Sequence, residues 1–377
     1  MSEQRAPVLV QLTPPGRGAV ATLLVDGPGA AEAVEALFRA IGGQPLGSLP
    51  QDRLLLGHIG GQHGEEVVLR RRSPQSIELH CHGGLAAVDM VQRLLAGQGC
   101  RPTTWQEWAA QTLADPIQSD ALLALAEART ARTAAILLDQ YHGALGRAIE
   151  GIRRSLAGGE VAGAREQVQR LLRRANLGRH LTRPWQVVLT GPPNAGKSSL
   201  LNALLGYQRA IVDPLAGTTR DVVSATTALD GWPVEFFDTA GVRPSVVPLE
   251  QAGIALTKEK VSAADLVVQV FDASQAASEQ EEKPMPVERQ PNVLVVYNKR
   301  DLVVDPDPRS YPGLLTSALR GEGIAELARE IATRLVPDPP NPGDAVPFTP
   351  PQIERIEKLD TALSVGDVAR ALALLGQ

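Results

Sequence analysis

The spacing of apolar residues changes twice along this chain of 377 residues, and each change predicts a different kind of structure. Up to about residue 112, short apolar runs such as Val8–Leu12 alternate with turns, which indicates a mixed α/β segment. Residues 120–181 carry apolar side chains at i, i+3 and i+4, the spacing of amphipathic helices. Residues 185–335 alternate apolar strands with helices, which predicts a parallel sheet covered by helices on both faces.

Turn and helix-breaking residues refine this pattern. In the first segment we expect further strands at Val20–Val25, Glu66–Arg70 and Ser76–His80, and a helix at Ala30–Ile41. In the helical segment, Ala157-Gly158-Gly159 is expected to separate two helices, because two adjacent glycines disfavour a continuous helix.

The resulting organisation places an α/β unit between helical segments. We predict an N-terminal domain at residues 1–112, a first helical part at 113–183 and the α/β unit at 184–336. Residues 337–377 are predicted to form a linker and then a second helical part, because the prolines that follow Val336 exclude a regular element there.

Composition limits the class of protein further. Apolar residues make up 44% of the chain and aromatics only 3%, so the cores must be built mainly from aliphatic side chains. A net charge of -5 argues against a chain coated in nucleic acid, although a local basic face remains open. Two cysteines fit a reducing compartment, and no apolar run has the length of a membrane helix. We therefore expect a cytoplasmic protein without membrane association.

A glycine-rich loop follows the predicted strand Gln186–Thr190. Its sequence, Gly191-Pro-Pro-Asn-Ala-Gly-Lys-Ser198, has the spacing of a P-loop and precedes a helix start. Backbone N–H groups and the helix N-terminus would meet the phosphate charge, Lys197 would reach the β- and γ-phosphates, and the Ser198 hydroxyl would ligate Mg²⁺. The alternative is a glycine turn before an ordinary helix. The predicted phosphate-binding residues are Asn194, Ala195, Gly196, Lys197, Ser198 and Ser199.

Two further segments are expected on the γ-phosphate side of the same site. Asp238 follows the apolar strand Val234–Phe237 and would hold Mg²⁺ through water, while the Gly241 amide would contact the γ-phosphate. Thr219 is predicted to be the second protein ligand of Mg²⁺. The two motifs comprise Asp238, Thr239, Ala240 and Gly241, and Gly217, Thr218, Thr219, Arg220 and Asp221.

A second pair of motifs is expected to read the base. Asn298-Lys299-Arg300-Asp301 follows an apolar strand, and Asp301 can accept both N–H donors on the guanine edge, which adenine does not offer. Main-chain N–H groups around Ser317 and Ala318 would back the guanine carbonyl. In this order, the motifs predict a protein that binds GTP and GDP with Mg²⁺ and hydrolyses GTP.

These motifs resemble a known family. Asn194 in the loop, the switch Ala216–Val222, Asp238-Thr-Ala-Gly241, Thr13–Gly18 and Ile77–Gly84 are similar to the tRNA-modifying GTPases called MnmE or TrmE. The resemblance runs collinearly from about residue 7 to residue 365. It implies a P-loop GTPase domain inserted in an α-helical domain, with an N-terminal α+β domain of the folate-binding type.

The resemblance also implies how hydrolysis is assisted. Residue 242, after the Asp-Thr-Ala-Gly motif, is Val, so the water-positioning Gln of Ras-like enzymes is absent. The family implies K⁺ bound by Asn194 and by the segment matching Asp213, Leu215 and Thr218, with Glu250 orienting the water. The alternative for Glu250 is an acidic residue that interacts with a helix dipole. Lys197 and Glu250 are the predicted catalytic residues.

For the N-terminal domain, the family implies dimerisation and binding of 5-formyltetrahydrofolate. Glu78 matches a folate-binding acid, but the family's arginine corresponds to Leu24 and its lysine falls near Ser119-Asp120. The sequence ends at Gln377 without the family's C-terminal Cys-Ile-Gly-Lys segment. The implied partners are a second copy of the chain, an MnmG-like flavoprotein and tRNA.

Two other patterns leave alternatives open. In His80-Cys81-His82 the histidines and the cysteine are expected on opposite faces of a strand, which disfavours zinc binding. Residues 147–183 carry nine Arg and three Glu, which indicates either a solvated helix face or an RNA-facing patch.

Three hypotheses for function follow. The first is a GTPase of wobble-uridine modification that depends on Mg²⁺ and K⁺ and works as a homodimer. The second is a GTP-switch paralogue that has lost the folate-dependent chemistry. The third is a folate-dependent one-carbon transferase, against which Leu24 argues because it cannot bind an anion.

Overall fold

A computed structural model describes residues 6–16, 18–46, 50–61, 64–207, 224–238, 263–275, 292–304 and 311–376. The chain forms two compact units, Met1–Ser119 and Asp120–Gln377.

The first unit is built around a seven-stranded sheet. Its strands are β1 Val8–Gln11, β2 Val20–Asp26, β3 Phe38–Ala40, β4 Leu54–Ile59, β5 Glu65–Ser73, β6 Ser76–His82 and β7 Arg101–Thr103. Its helices are α1 Ala30–Leu37, α2 Leu85–Gly97 and α3 Trp105–Thr112. The strand order is β3-β4-β5-β6-β2-β1-β7, and every neighbouring pair is antiparallel except β1 and β7.

Alternation along β6 separates core side chains from polar ones. Leu79 and Cys81 lie in the hydrophobic core together with Leu23 of β2. His80, between the two core residues, forms a hydrogen bond with Thr22 at 3.0 Å instead. The prediction that the cysteine lies on the opposite face from the neighbouring histidine is thus confirmed. Burial raises the pKa of the Cys81 thiol, with a further contribution from the nearby Glu65.

The predicted helix Ala30–Ile41 is wrong at its C-terminal end. The helix ends at Leu37, and Phe38–Ala40 forms β3, which pairs with the unpredicted strand β4. Phe38 is only 4% exposed, and Gly57 of β4 leaves the space that its ring occupies. Pairing and burial therefore outweigh the local helical spacing.

The second unit contains a six-stranded sheet. Its strands are β8 Trp185–Thr190, β9 Ser224–Leu229, β10 Trp232–Asp238, β11 Leu266–Asp272, β12 Val293–Asn298 and β13 Leu314–Leu315, in the order β13-β12-β11-β8-β10-β9. All neighbouring pairs are parallel except β9 and β10, which confirms the predicted mostly parallel sheet. The carboxyl ends of β8, β10, β11 and β12 therefore meet at one edge, where α/β proteins bind ligands.

The described helices of this unit belong to two groups. The helices beside the sheet are α9 Lys197–Tyr207 and α10 Ile324–Leu335. The others are α4 Pro116–Glu127, which belongs to this unit from Asp120 onward, α5 Ala131–Tyr141, α6 Ala144–Ala157, α7 Val161–Arg173, α8 Ala175–Arg179, α11 Pro350–Ser364 and α12 Val368–Leu375. The predicted break between α6 and α7 is confirmed. No helix among the described residues has both the length and the apolar character that crossing a bilayer requires.

Segments distant in sequence hold the helical group together. α11 packs against α7, and α12 packs against α6 and α11. α11 begins at a capping box formed by Thr349 and Gln352. The proline-rich linker has no helix or strand, as predicted, and its Asp344 forms an ion pair with Arg174, the residue that follows α7, at 2.6 Å.

The turn between β9 and β10 contacts the start of α5. The Thr130 hydroxyl donates to the Gly231 carbonyl at 2.7 Å. Arg132 forms an ion pair with Asp230 at 2.7 Å, and its guanidinium lies 4.4 Å from the centroid of the Trp232 ring. These contacts join the helical group to the hairpin that carries Asp238.

Candidate functional site

The loop between β8 and α9 depends on glycine at both ends. Gly191 has φ +130° and Gly196 has φ +89°. Residues other than glycine rarely adopt these backbone angles. A Cβ at Gly191 would collide with the Val270 carbonyl of β11, and one at Gly196 with the Asn298 side-chain amide. The loop backbone therefore lies directly against the ends of β11 and β12.

Lys197 starts α9 and folds back over this loop. Its side chain is buried, and its Nζ donates to the carbonyl oxygens of Gly191 at 2.7 Å and Pro192 at 2.8 Å. The amine is thus held at the mouth of the loop, where a bound phosphate would meet it. Asn194, at the tip of the loop, is exposed and has a left-handed backbone with φ +63°.

Ser198 and Asp238 form a pair of oxygen donors beside the loop. The Ser198 Oγ donates to Asp238 Oδ2 at 2.6 Å. The neighbouring register of β10 and β8, Asp238 opposite Leu189, brings the two together. Hydroxyl and carboxylate oxygens are the ligand types that Mg²⁺ prefers, so these residues fit that ion.

Asn298, at the end of β12, connects the loop to the next segment. Its Nδ2 donates to the carbonyl oxygens of Ala195 at 3.2 Å and Gly196 at 3.4 Å. Its Oδ1 accepts from the Ala318 N–H at 3.0 Å and from the Thr316 hydroxyl at 3.3 Å. One buried side chain therefore ties the phosphate loop to the segment that follows β13.

Asp301 and Ser317 lie at the far end of the same edge. The Ser317 hydroxyl donates to Asp301 Oδ1 at 2.5 Å, which orients the carboxylate. The Ser317 N–H donates to the Glu322 carbonyl oxygen and the Thr316 N–H donates to the Tyr297 carbonyl oxygen. With the Ala318 N–H on Asn298, the three amides of this segment all have protein acceptors in this structure.

The residues at this edge of the sheet form two chemically different groups, which the hydrogen bonds of Asn298 connect. One group offers backbone N–H donors, an amine and oxygen ligands, which suit a phosphate chain with a divalent cation. The other group offers an oriented carboxylate, which suits a base edge that presents two N–H donors.

Comparison with known proteins agrees with this geometry. Residues 186–299 match the protein family described as "50S ribosome-binding GTPase". The proteins named tRNA modification GTPase MnmE from Moorella thermoacetica and Chloroflexus aurantiacus are each 33% identical to this chain. The first alignment covers 85% of this chain and 79% of that protein, and the second 86% and 80%. A protein of the same name from Thermus thermophilus is 33% identical over 100% of this chain and 95% of its own length.

The chain belongs to the MnmE family. It is a GTP-binding and GTP-hydrolysing protein, and the resemblance to this family expected from the sequence is confirmed.

Several of the site residues predicted for this MnmE family member contact one another, since Asn298 bonds to Ala195, Gly196 and Ala318. Ser199 lies in the first turn of α9 beside Lys197. The predicted site residues of this unit that the structure describes are Asn194, Ala195, Gly196, Lys197, Ser198, Ser199, Asp238, Asn298, Lys299, Asp301, Ser317 and Ala318. Other predicted residues lie outside the described part of the chain, and they are Asp213, Leu215, Thr218, Thr219, Thr239, Ala240, Gly241 and Glu250.

Glu78, the residue predicted from the MnmE resemblance to bind folate, lies in the other unit, on β6. It is 8% exposed, and its carboxylate lies 3.4 Å from Arg70 and 3.3 Å from Arg72. Leu24 stands opposite Glu78 in the sheet register and is fully buried. The carboxylate is thus paired within the sheet, next to an apolar neighbour.

Asp272 lies at the same edge of the sheet and is not part of the predicted motifs. It ends β11, directly opposite Asn298 in the sheet, and its Oδ2 accepts from Lys299 Nζ at 2.7 Å. The signal was present in the sequence, because Asp272 follows the apolar run Leu266–Phe271. Carboxyl ends of parallel strands in such sheets meet at the edge where ligands bind, so the position of Asp272 after this strand indicates a residue near the ligand.

Proposed function

We propose that this chain is a Mg²⁺-dependent GTPase that acts in tRNA wobble-uridine modification. The observation that carries the proposal is Asn298, which donates to the phosphate loop and accepts from the segment beside Asp301. A guanine base and its phosphate chain would therefore occupy one continuous pocket. The MnmE relatives are named tRNA modification GTPases, which supports the same role here.

The residues of the phosphate loop would bind and orient the triphosphate. Lys197 now donates to two neutral carbonyls, and a triphosphate would offer its amine anionic acceptors, which form stronger hydrogen bonds. The loop amides would stabilise charge that develops between the β- and γ-phosphates.

The oxygen donors of the pocket would hold the cation. Ser198, with Thr219 from the switch segment, would ligate Mg²⁺, and Asp238 would contact its water shell. When bound, Mg²⁺ supplies charge neutralisation at the phosphate oxygens.

Residues carried over from the family resemblance would complete hydrolysis. Asn194 would bind K⁺ together with the segment containing Asp213, Leu215 and Thr218. Its exposure at the loop tip leaves its side chain accessible for that role. Glu250 would orient the attacking water, since Val242 replaces the glutamine used by Ras-like enzymes.

The domain organisation and partners follow the same proposal. A GTPase domain at residues 184–336 would stand between helical parts at 113–183 and 337–377, preceded by the N-terminal domain 1–112. The packing of α11 on α7 supports a helical domain assembled from both sides of the insertion. The protein would be cytoplasmic and work as a homodimer with an MnmG-like flavoprotein on tRNA.

GTP turnover by purified wild-type protein and the Lys197→Ala variant tests this function. We expect kcat/KM to fall by a factor on the order of 100 to 1000, since a donor to the transition-state charge is removed. Lys358→Ala is the matched control, because Lys358 forms an exposed ion pair with Glu354 on α11.

The same assay in KCl and in NaCl tests the potassium site, and tRNA modification in cells lacking the gene tests the pathway. Equal turnover in both salts would remove the potassium proposal. Equal turnover by Lys197→Ala and wild type would contradict the proposed role of the phosphate loop in GTP hydrolysis.

Glu78 and Leu24 favour a second candidate, a GTP switch without folate chemistry. The ion pairs of Glu78 and the buried apolar Leu24 do not form the polar folate site that the family implies, so no step is assigned to folate. Titration with 5-formyltetrahydrofolate separates the two candidates. Saturable binding would support the full tRNA-modifying enzyme, and absence of binding would support the switch.

A further inference from the structure

Asp272 is held in one orientation at the edge of the nucleotide pocket. It is 5% exposed, and its Oδ1 accepts from the Ser274 N–H at 2.9 Å and the Ser274 hydroxyl at 2.6 Å. Its Oδ2 accepts from Lys299 Nζ at 2.7 Å. Both carboxylate oxygens therefore have donors that fix their direction.

Lys299 is fixed at both ends of its side chain. Its backbone is left-handed, with φ +67°, and its carbonyl accepts from the Leu302 N–H at 3.0 Å. Its amine is held by Asp272. Between these ends the stem passes the phosphate loop, since a Cβ on Gly196 would lie 3.9 Å from the Lys299 Cε.

A lysine stem held in this way presents an apolar surface beside a polar site. Asp301 lies two residues further along the chain, and Ser317 orients its carboxylate. We infer that Asp272 is a positioning residue for guanine binding, because it holds the Lys299 amine so that the stem is ready to contact the base that Asp301 reads. This inference rests on the proposed guanine-reading role of Asp301.

The charge state of Asp272 agrees with this role. Burial acts to raise the pKa of Asp272, but hydrogen bonds from Lys299 and Ser274 lower it below its ordinary value. The carboxylate is therefore ionised at neutral pH and attracts the ammonium. A purely structural ion pair would affect stability alike in all nucleotide states and would leave base preference unchanged.

The first test compares Asp272→Asn with Asp265→Asn. Asp265 precedes the opposite end of the same strand, where it accepts the Gln186 N–H at 2.7 Å and pairs with His180 at 3.3 Å. Calorimetric titration with GDP, GTP and ATP gives the affinities. We expect Asp272→Asn to weaken GDP and GTP binding equally, by about tenfold, because one charged hydrogen bond that acts through Lys299 is lost.

Base preference and turnover distinguish a positioning role of Asp272 from a purely structural one, because a structural role would not change the base preference. Adenine lacks the N–H donors by which Asp301 would hold a base against the Lys299 stem, so affinity for ATP should change less than affinity for GTP and the preference for GTP should fall. Turnover at saturating GTP should stay within about twofold, since contacts to the base are the same in the ground state and in the transition state of phosphate hydrolysis. Asp265→Asn should leave the GTP-to-ATP preference unchanged.

A double-mutant cycle tests whether Asp272 acts through Lys299. If it does, Asp272→Asn combined with Lys299→Ala binds GTP no more weakly than Lys299→Ala alone. Additive losses would overturn the inference. Asp272→Glu should bind GTP more tightly than Asp272→Asn, because it restores the negative charge.

Asp301→Asn separates failure of the inference from failure of the guanine-reading role. Its amide donor should move base preference from GTP towards XTP, whose second carbonyl accepts a hydrogen bond. No shift towards XTP would remove the guanine-reading role and the inference with it. A shift towards XTP, with GTP affinity of Asp272→Asn equal to wild type, would overturn the role of Asp272 alone.

Discussion

Two carboxylates, one in each unit of this protein, stand in opposite electrostatic settings. Asp301 accepts a hydrogen bond from the neutral hydroxyl of Ser317, at the edge where four parallel strands end. Glu78 lies within an antiparallel sheet, and two guanidinium groups, of Arg70 and Arg72, neutralise it. A neutral donor orients a carboxylate and keeps its charge available to a ligand, whereas cationic partners satisfy that charge within the protein.

An acidic residue at the sequence position of a relative's binding residue is therefore not sufficient evidence for the same binding site. Both residues were selected from the sequence, one by a motif and one by resemblance. Only their neighbours distinguish an acid prepared for a ligand from an acid that holds a sheet together. Substitutions that separate ligand affinity from stability can test this distinction directly.

The largest expected effect is the loss of GTP affinity when Asp301 is replaced. Asp301→Ala should weaken GTP binding by a factor on the order of 100, because two hydrogen bonds to the guanine edge are lost. Stability should change little, since the residue is partly exposed. Titration with GTP measures the affinity, and Asp338→Ala in the exposed linker is the control. Unchanged GTP affinity of Asp301→Ala would contradict the proposal that Asp301 binds the guanine base.

The opposite result is expected for the partners of Glu78. Replacing Arg70 and Arg72 together by Ala should lower the free energy of unfolding by about 1–3 kcal/mol, because a buried carboxylate loses its donors. GTP affinity should stay the same. Urea unfolding measures the loss, and Arg93→Ala, which removes an exposed ion pair with Asp89, should cost less than about 1 kcal/mol. If the double variant lost as much GTP affinity as Asp301→Ala, the proposed difference between Glu78 and Asp301 would be contradicted.

The smallest effect concerns the pH dependence of the Asp272–Lys299 pair. Because the folded pKa of Asp272 lies below its ordinary value of 3.8, the stabilisation is present above that value. It should disappear as the pH falls through the folded pKa. The difference in Tm between wild type and Asp272→Asn should therefore stay constant from neutral pH to about 5 and shrink below the ordinary value. A difference that grows on acidification would contradict an ionised Asp272 in the folded state.

The prediction from sequence was most successful where function depends on short segments. The loop Gly191–Ser198 was predictable because only glycine tolerates the backbone at Gly191 and Gly196. The position of the Asp301 motif directly after a strand was predictable because the apolar run before it has the length and composition of a buried strand. Alternation predicted the opposite placement of Cys81 and His80 for a similarly local reason.

Contacts between distant segments could not be predicted in the same way. Phe38–Ala40 became a strand because β4 was available to pair with it, and local spacing carries no information on that partner. The pairings of Asp272 with Lys299 and of Glu78 with Arg70 and Arg72 depend on strand order and register.

The amino-acid sequence by itself determined that this protein has a glycine-rich loop between a strand and a helix, and it predicted Asp301 as the acid that reads guanine, because each motif consists of consecutive residues. The tertiary structure alone decided which charged groups those residues meet. The parallel register of β11 and β12 aligns Asp272 with Asn298, and Lys299 follows Asn298 directly. The register of β5 and β6 sets Arg70 opposite Glu78. The range of a hydrogen bond is a few ångströms, so such partners are fixed only when the strands assemble.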